Sequence, residues 1–152
     1  MSMHEAYIRE AVALAEANVA AGGSPYGAVI VRDGAVLVRA ANNVHATNDP
    51  SAHAEMVALR EASQILGRRD LSDCVMYASG RPCPMCHAAM RLAGFKQGYF
   101  AFSAEEAEQY GAGSAAIYAE LCQPLETQPM QLSQIRPAGA APYAAWQARR
   151  GA

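Results

Sequence analysis

Apolar side chains at Ile8, Val12, Ala15 and Val19 recur at helical spacing and predict an amphipathic helix over residues 3–21. Gly22-Gly23 and Ser24-Pro25 end it. Tyr26 to Arg32 is short and rich in β-branched residues, Asp33-Gly34 is a hairpin-turn signal, and Ala35 to Ala41 reads as the returning strand. A polar loop follows from Asn42 to Asp49. Asp49 as a cap, with Pro50 at the first helical position, predicts a helix to about Leu66, stopped by Gly67. Cys74 to Ser79 reads as a buried strand and Gly80-Arg81-Pro82 as a turn. A helix from about Cys83 to Ala93 and a strand from Gly98 to Phe102 come next. Ser103 with Glu106 forms the pattern of a capping box for a third short helix. Residues 110–130 carry no clear periodicity, Met130 to Ile135 predicts a last strand, and Ala141 to Arg150 a last helix. Strands that alternate with helices, beginning with a hairpin, predict an α/β sandwich on a mixed sheet.

A length of 152 residues suits one domain, and a charged fraction of 17% against 52% apolar excludes a disordered chain. Twelve Lys and Arg against fourteen Asp and Glu leave a net charge of −2, which argues against a nucleic-acid partner. Met1 to Glu10 lacks the basic-then-apolar pattern of a secretory signal, and no run of about 18 apolar residues would span a membrane. The expected location is the cytoplasm. Thiols stay reduced there, so a close cysteine pair suggests metal or redox chemistry.

Two short motifs carry that chemistry. His53-Ala54-Glu55 and Pro82-Cys83-Pro84-Met85-Cys86 each open a predicted helix. Cys83 and Cys86 are three apart, so one helical turn presents both sulfurs on one face. With the His53 imidazole they make a three-ligand zinc set that leaves the fourth position to water, as catalytic zinc requires. Glu55 stands two residues from His53, and side chains in a first helical turn lean back toward the helix start. Both can therefore reach one site beyond that end, Glu55 as a general acid/base and not as a ligand. The positive ends of both helix dipoles would favour thiolate and hydroxide there. H-x-E followed by P-C-x-x-C is the signature of the zinc deaminases.

Other readings of the same residues exist. A structural zinc site needs a fourth protein ligand, and no second cysteine pair is present. Cys83 to His87 also fits the C-x-x-C-H pattern of c-type haem attachment, the reading as an electron-transfer protein. That reading, like a thioredoxin-type redox pair, leaves His53-Ala54-Glu55 unexplained. His4 and His45 read as surface residues, His87 as pointing away from Cys86, Cys74 as core and Trp146 as packing.

On these motifs the chain resembles the cytidine and deoxycytidylate deaminase superfamily, and within it the bacterial guanine deaminases. The likeness runs from residue 5 to about 149. It includes Gly27-Ala28-Val29-Ile30-Val31 with Asp33-Gly34, Asn42-Asn43-Val44, Asn48-Asp49-Pro50, Leu71 to Cys86, Ile117-Tyr118 and Ala145-Trp146. The resemblance implies a three-layer α/β/α sandwich with a mixed five-stranded sheet, all 152 residues forming one deaminase domain. It implies one zinc per chain on His53, Cys83 and Cys86, Glu55 as proton carrier, and deamination of a free nucleobase or related amino-heterocycle. Asn42, Tyr26 and the Ala54 backbone would contact the base. A homodimer is implied, with residues 137–152 exchanged so that Tyr143 to Ala152 complete the neighbouring site. Three departures stand out: Arg81 where the family usually has Glu, Ser114 where the guanine enzymes carry an aspartate, and an end at Gly151-Ala152 without a terminal aromatic. With Ser114 in the pocket, a ring other than guanine is expected, unless Glu108 or a partner's tail supplies the missing acceptor. Within the superfamily the alternative is a tRNA adenosine deaminase, which shares the Asp-Pro-x-Ala-His-Ala-Glu run and should carry a basic surface.

Overall fold

The computed structural model describes residues 2–139 and 141–150. The chain divides into two compact units, residues 1–119 and 120–152. In the first, helix α1 spans Met3–Ala20, with the Ser2 side chain accepting the Glu5 N–H as its cap. Strands β1 (Gly27–Arg32) and β2 (Ala35–Ala41) pair antiparallel across a turn in which Asp33 and Gly34 take positive φ, 51° and 74°. That left-handed pair is what a tight hairpin needs to follow the strand twist. A short helix α2 (Val44–Thr47) occupies the expected polar loop.

Helix α3 (Ala54–Leu66) starts later than the Asp49-Pro50 signal predicts. The Asp49 carboxylate instead accepts from the Ser51 N–H at 2.8 Å and the Ser51 hydroxyl at 2.7 Å. These bonds close a turn rather than a cap, and His53 becomes the N-cap residue. Strand β3 (Cys74–Gly80), helix α4 (Pro84–Leu92), strand β4 (Gln97–Phe102) and the capping-box helix α5 (Ala104–Glu108) follow. Helix α6 (Ala115–Leu121) lies in the stretch whose pattern was unreadable.

The sheet order is β2-β1-β3-β4, with β3 antiparallel to β1 and parallel to β4. The sheet therefore has four strands among the described residues, not the expected five. Met130 to Ile135, expected as a last strand, forms no ladder among the described residues, and Met130, Leu132 and Ile135 are exposed. Its apolar residues at 130, 132 and 135 do not keep a period of two, and a strand also needs a partner for its backbone bonds.

Alternate residues of β1 and β3 serve opposite faces. Ala28, Ile30 and Met76 pack with Ala54, Ala58 and Ala62 of α3 and Met90 of α4. Val29, Val31 and Tyr77 pack with Tyr7, Ile8 and Ala11 of α1. Helices thus cover both faces of the sheet. Gly27 is required for this contact, because a Cβ there would stand 2.8 Å from Ala15 N and Leu14 Cβ of α1. Cys74 is buried as expected, and His4 is exposed, with its Nδ1 2.7 Å from the Tyr77 hydroxyl.

The second unit holds a 3-10 turn at Leu125–Thr127 and helix α7 (Pro142–Arg150). Trp146 was expected to pack; it is exposed, with the Arg150 guanidinium 4.6 Å over its ring. Gly151 and Ala152 lie outside the described residues. No helix among the described residues is long and apolar enough to cross a membrane.

Candidate active site

The first turns of α3 and α4 converge. His53 and Cys83 are their N-cap residues, both with extended backbone, and Cys86 lies one turn into α4. Pro84 at the first helical position costs α4 nothing, since that N–H has no intrahelical partner. The His53 Nδ1 lies 3.5 Å from Cys83 Sγ and 3.6 Å from Cys86 Sγ, and the two sulfurs are 3.6 Å apart. Tetrahedral zinc at ordinary bond lengths needs edges of about 3.6 Å between nitrogen and sulfur and about 3.8 Å between sulfurs. The triangle already matches that shape, and two thiols with one imidazole are zinc donors by type. These are the three residues able to hold a metal ion together among the described residues. His87 is exposed and outside the group, so the haem pattern has no support in the geometry; Cys74 and Cys122 are also outside it.

Glu55, one residue into α3, is 6% exposed, with its Oε2 3.5 Å from Cys86 Sγ. Burial pushes its carboxyl pKa up. A hydrogen bond with Cys83 pushes His53 up, against the opposing effect of burial. Hydrogen bonds from Cys86 and His53 hold the Cys83 thiol down at about 4. Cys86 moves the other way, through its bond with Cys83 and its burial.

A cavity of about 430 Å³ opens on this cluster. His53, Glu55 and Cys83 share its lining with Tyr26, Asn42 and Ser114, so the structure brings together six of the eight residues expected at the site. Cys86 and Ala54 are fully buried beside it. Only the backbone of Ala54 could reach a ligand, and as the first residue of α3 its N–H has no intrahelical acceptor. Asn42 Oδ1 accepts from the Val44 N–H at 3.2 Å, which leaves its NH2 for a ligand. Asn18 of α1 fixes Asn42 in turn, donating to the carbonyls of Asn42 (3.0 Å) and Ser24 (2.7 Å). The Tyr26 hydroxyl donates to the Ala112 carbonyl. Burial raises its pKa, with Glu55 adding to the rise.

The far wall is made by α5, the loop 109–114 and α6; the capping box predicts α5 and the resemblance places Ser114 in the pocket, whereas α6 is not predicted from the residues. Arg81 lines the cavity, with its guanidinium 4.7 Å over the Tyr118 ring, while the Tyr118 hydroxyl donates to the Pro82 carbonyl at 2.7 Å. For α6 the one sequence signal is Ile117-Tyr118, part of the resemblance. Among the described lining residues Glu55 is the one carboxylate. Glu108 does not face the cavity; its Oε1 accepts from the Ala115 N–H at 3.0 Å.

Comparison with known proteins agrees with this geometry. Residues 1–102 match the family model described as the cytidine and deoxycytidylate deaminase zinc-binding region. The chain is 41% identical over 145 residues to the guanine deaminase of Bacillus subtilis, covering 94% of this chain and 93% of that one. The crystal structure of guanine deaminase from the same organism superposes with a TM-score of 0.88 at 39% identity, over 99% of this chain and 95% of that one. A mutant protein solved in complex with 8-azaguanine matches with a TM-score of 0.70 at 29% identity, over 73% and 64% of the two chains. A tRNA-specific adenosine deaminase from Aquifex aeolicus is 43% identical over 83 residues, covering 53% of this chain and 55% of that one.

Proposed function

The chain belongs to the cytidine and deoxycytidylate deaminase zinc-binding family, as a guanine-deaminase-like zinc deaminase, and from that premise we propose that it hydrolyses the amino group of a free purine-like base. The observation that carries the reading is the His53–Cys83–Cys86 triangle beside the buried Glu55, at the floor of one cavity. His53, Cys83 and Cys86 would hold a zinc ion, which when bound would supply a nucleophile near neutral pH by lowering the pKa of water toward about 7. One cluster of this kind among the described residues supports one zinc per chain.

Glu55 is the proton carrier. It takes a proton from the attacking water and delivers it to the ring nitrogen beside the amine-bearing carbon. It then takes the remaining proton of the added hydroxyl and passes it to the amine, which leaves as ammonia as the ring carbonyl forms. Its burial keeps those protons from bulk water, and a positioned acid/base of this kind contributes about 10²–10⁴-fold. The Asn42 NH2 donates to an acceptor on the ring, the Ala54 N–H meets the base at the start of α3, and Tyr26 forms the wall beside it.

Ser114 sets the ring edge. Guanine presents ring N–H and amine donors, and a carboxylate would hold them with charge-assisted bonds roughly twice as strong as neutral ones. The Ser114 hydroxyl is neutral and also donates, which favours an amino-heterocycle with an acceptor at that edge. Ammonia release across amino-purines, amino-pyrimidines, pterins and aminotriazines tests this. A kcat/KM for guanine above that of every other ring would refute the role given to Ser114. A homodimer with residues 137–152 exchanged is part of the same proposal. Light scattering on the full chain should give twice the mass of one protomer, and a monomer would refute it.

A further inference from the structure

Resting on that reading, we infer that Glu108 is a positioning residue for the substrate cavity: its carboxylate, lodged in the space left by the absent side chain of Gly113, holds the loop that presents Ala112 and Ser114 to the bound ring. Residues 111–114 all line the cavity. The first half of this loop is secured by its own backbone. The Gly111 N–H donates to the Glu108 carbonyl and the Ala112 N–H to the Ala107 carbonyl, both at 3.0 Å, with Gly111 at φ 68°. That is the left-handed exit of a helix, which glycine serves. The Tyr26 hydroxyl fastens Ala112 from the opposite side. Beyond Ala112, the next backbone bond is from the Tyr118 N–H to the Ser114 carbonyl at 3.1 Å, inside α6.

Glu108 closes the gap between them. Its Oε1 accepts from the Ala115 N–H at 3.0 Å, directly after Ser114. To get there the carboxylate crosses Gly113, where a Cβ would stand 2.6 Å from Glu108 Cγ and closer still to the carboxylate. Gly113 is not among the glycines with positive φ. The space beside Gly113 is occupied by Glu108, so a side chain at 113 would have to displace that carboxylate. The pair acts on the ring through the loop, since Glu108 itself is exposed and outside the lining.

The test uses the full chain loaded with zinc, in the variants Glu108→Ala, Glu108→Gln, Gly113→Ala and the double Glu108→Ala/Gly113→Ala. Glu108→Ala is expected to raise KM for the best ring by about tenfold, the scale of one charge-assisted hydrogen bond, with kcat and zinc content unchanged. Glu108→Gln keeps an acceptor of the same reach and restores most of the loss. Gly113→Ala alone reproduces the Glu108→Ala phenotype, because its methyl displaces the carboxylate. In the Glu108→Ala background the same change adds nothing to KM and slightly raises Tm, through lower entropy of the unfolded chain. Multiplicative KM effects of the two single changes, or an unchanged KM in Glu108→Ala, would overturn the inference. If the parent protein releases no ammonia from any ring, the preceding reading fails, and the Tm cycle over the same proteins decides the pairing alone. Non-additive Tm losses then support it, and additive ones overturn it.

Discussion

Replacing Glu55 by Gln isolates proton transfer from metal binding. The amide has nearly the same shape and fits a position that is only 6% exposed. It removes a carboxyl whose ionised form is costly to bury, so the fold should not lose stability. The His53, Cys83 and Cys86 donors lie 3.5 to 3.6 Å from one another without help from Glu55, so zinc content should stay at the parent level. What is lost is the carrier between water, ring nitrogen and ammonia. A loss of about 10²–10⁴-fold in kcat corresponds to about 2.7–5.4 kcal/mol of transition-state stabilisation. KM should move little, because proton transfer is felt in the transition state and not in ground-state binding. The assay pairs metal analysis of the purified variant with ammonia release under single-turnover and steady-state conditions. Parent zinc content together with turnover within tenfold of the parent would refute the role.

Three further outcomes follow from the same structure. Replacing Cys83 and Cys86 by Ala leaves one of the three donors, and metal analysis should find no bound zinc; zinc retained by that double variant would refute the ligand set. Asp73 bonds Arg68 through both oxygens (2.6 and 2.7 Å) and Arg32 at 2.8 Å, and the Arg68 bond, ahead of Arg32, holds its pKa down at about 2. Its native pKa is below the ordinary 3.8, so this stabilisation is complete above 3.8 and fades as pH falls through about 2. The Tm deficit of Asp73→Asn should therefore be present at neutral pH and vanish in strong acid; a deficit that persists there would refute it. Gly27→Ala drives a methyl into the backbone of α1, at 2.8 Å from Ala15 N, and should cost about 1–3 kcal/mol in denaturant unfolding. An unchanged midpoint would contradict the close approach of α1 to β1.

The metal half of the site was legible because its signal is local. His53-Ala54-Glu55 and Pro82-Cys83-Pro84-Met85-Cys86 each place their chemistry within one helical turn, and the tight hairpin at Asp33-Gly34 announced the first strand pair in the same way. What the residues could not state was partnership. Asp49 looks like a helix cap, but the neighbouring Ser51 takes its carboxylate, and the helix starts at Ala54 instead. Met130 to Ile135 reads as a short apolar segment fit for a strand and has no ladder among the described residues. The resemblance placed Ser114 in the pocket, but the rest of its wall, residues 109–113 and α6, takes its order from long-range bonds that no local pattern states: Tyr26 to Ala112, and Tyr118 to Pro82. The space at Gly113 that admits Glu108 is visible only in three dimensions.

Ammonia release from free bases, compared with nucleosides and an adenosine-containing tRNA, tests the central reading most directly when run on one preparation as purified, after chelation, and after zinc is restored. Arg81 is the one Lys or Arg among the described cavity-lining residues, and the chain carries a net charge of −2, whereas binding of a polyanion draws on several such cations. The expected result is turnover of at least one free amino-heterocycle that disappears with the metal and returns with zinc, and none on the tRNA. Turnover of the tRNA alone, or turnover of a free base that survives complete removal of zinc, would contradict it.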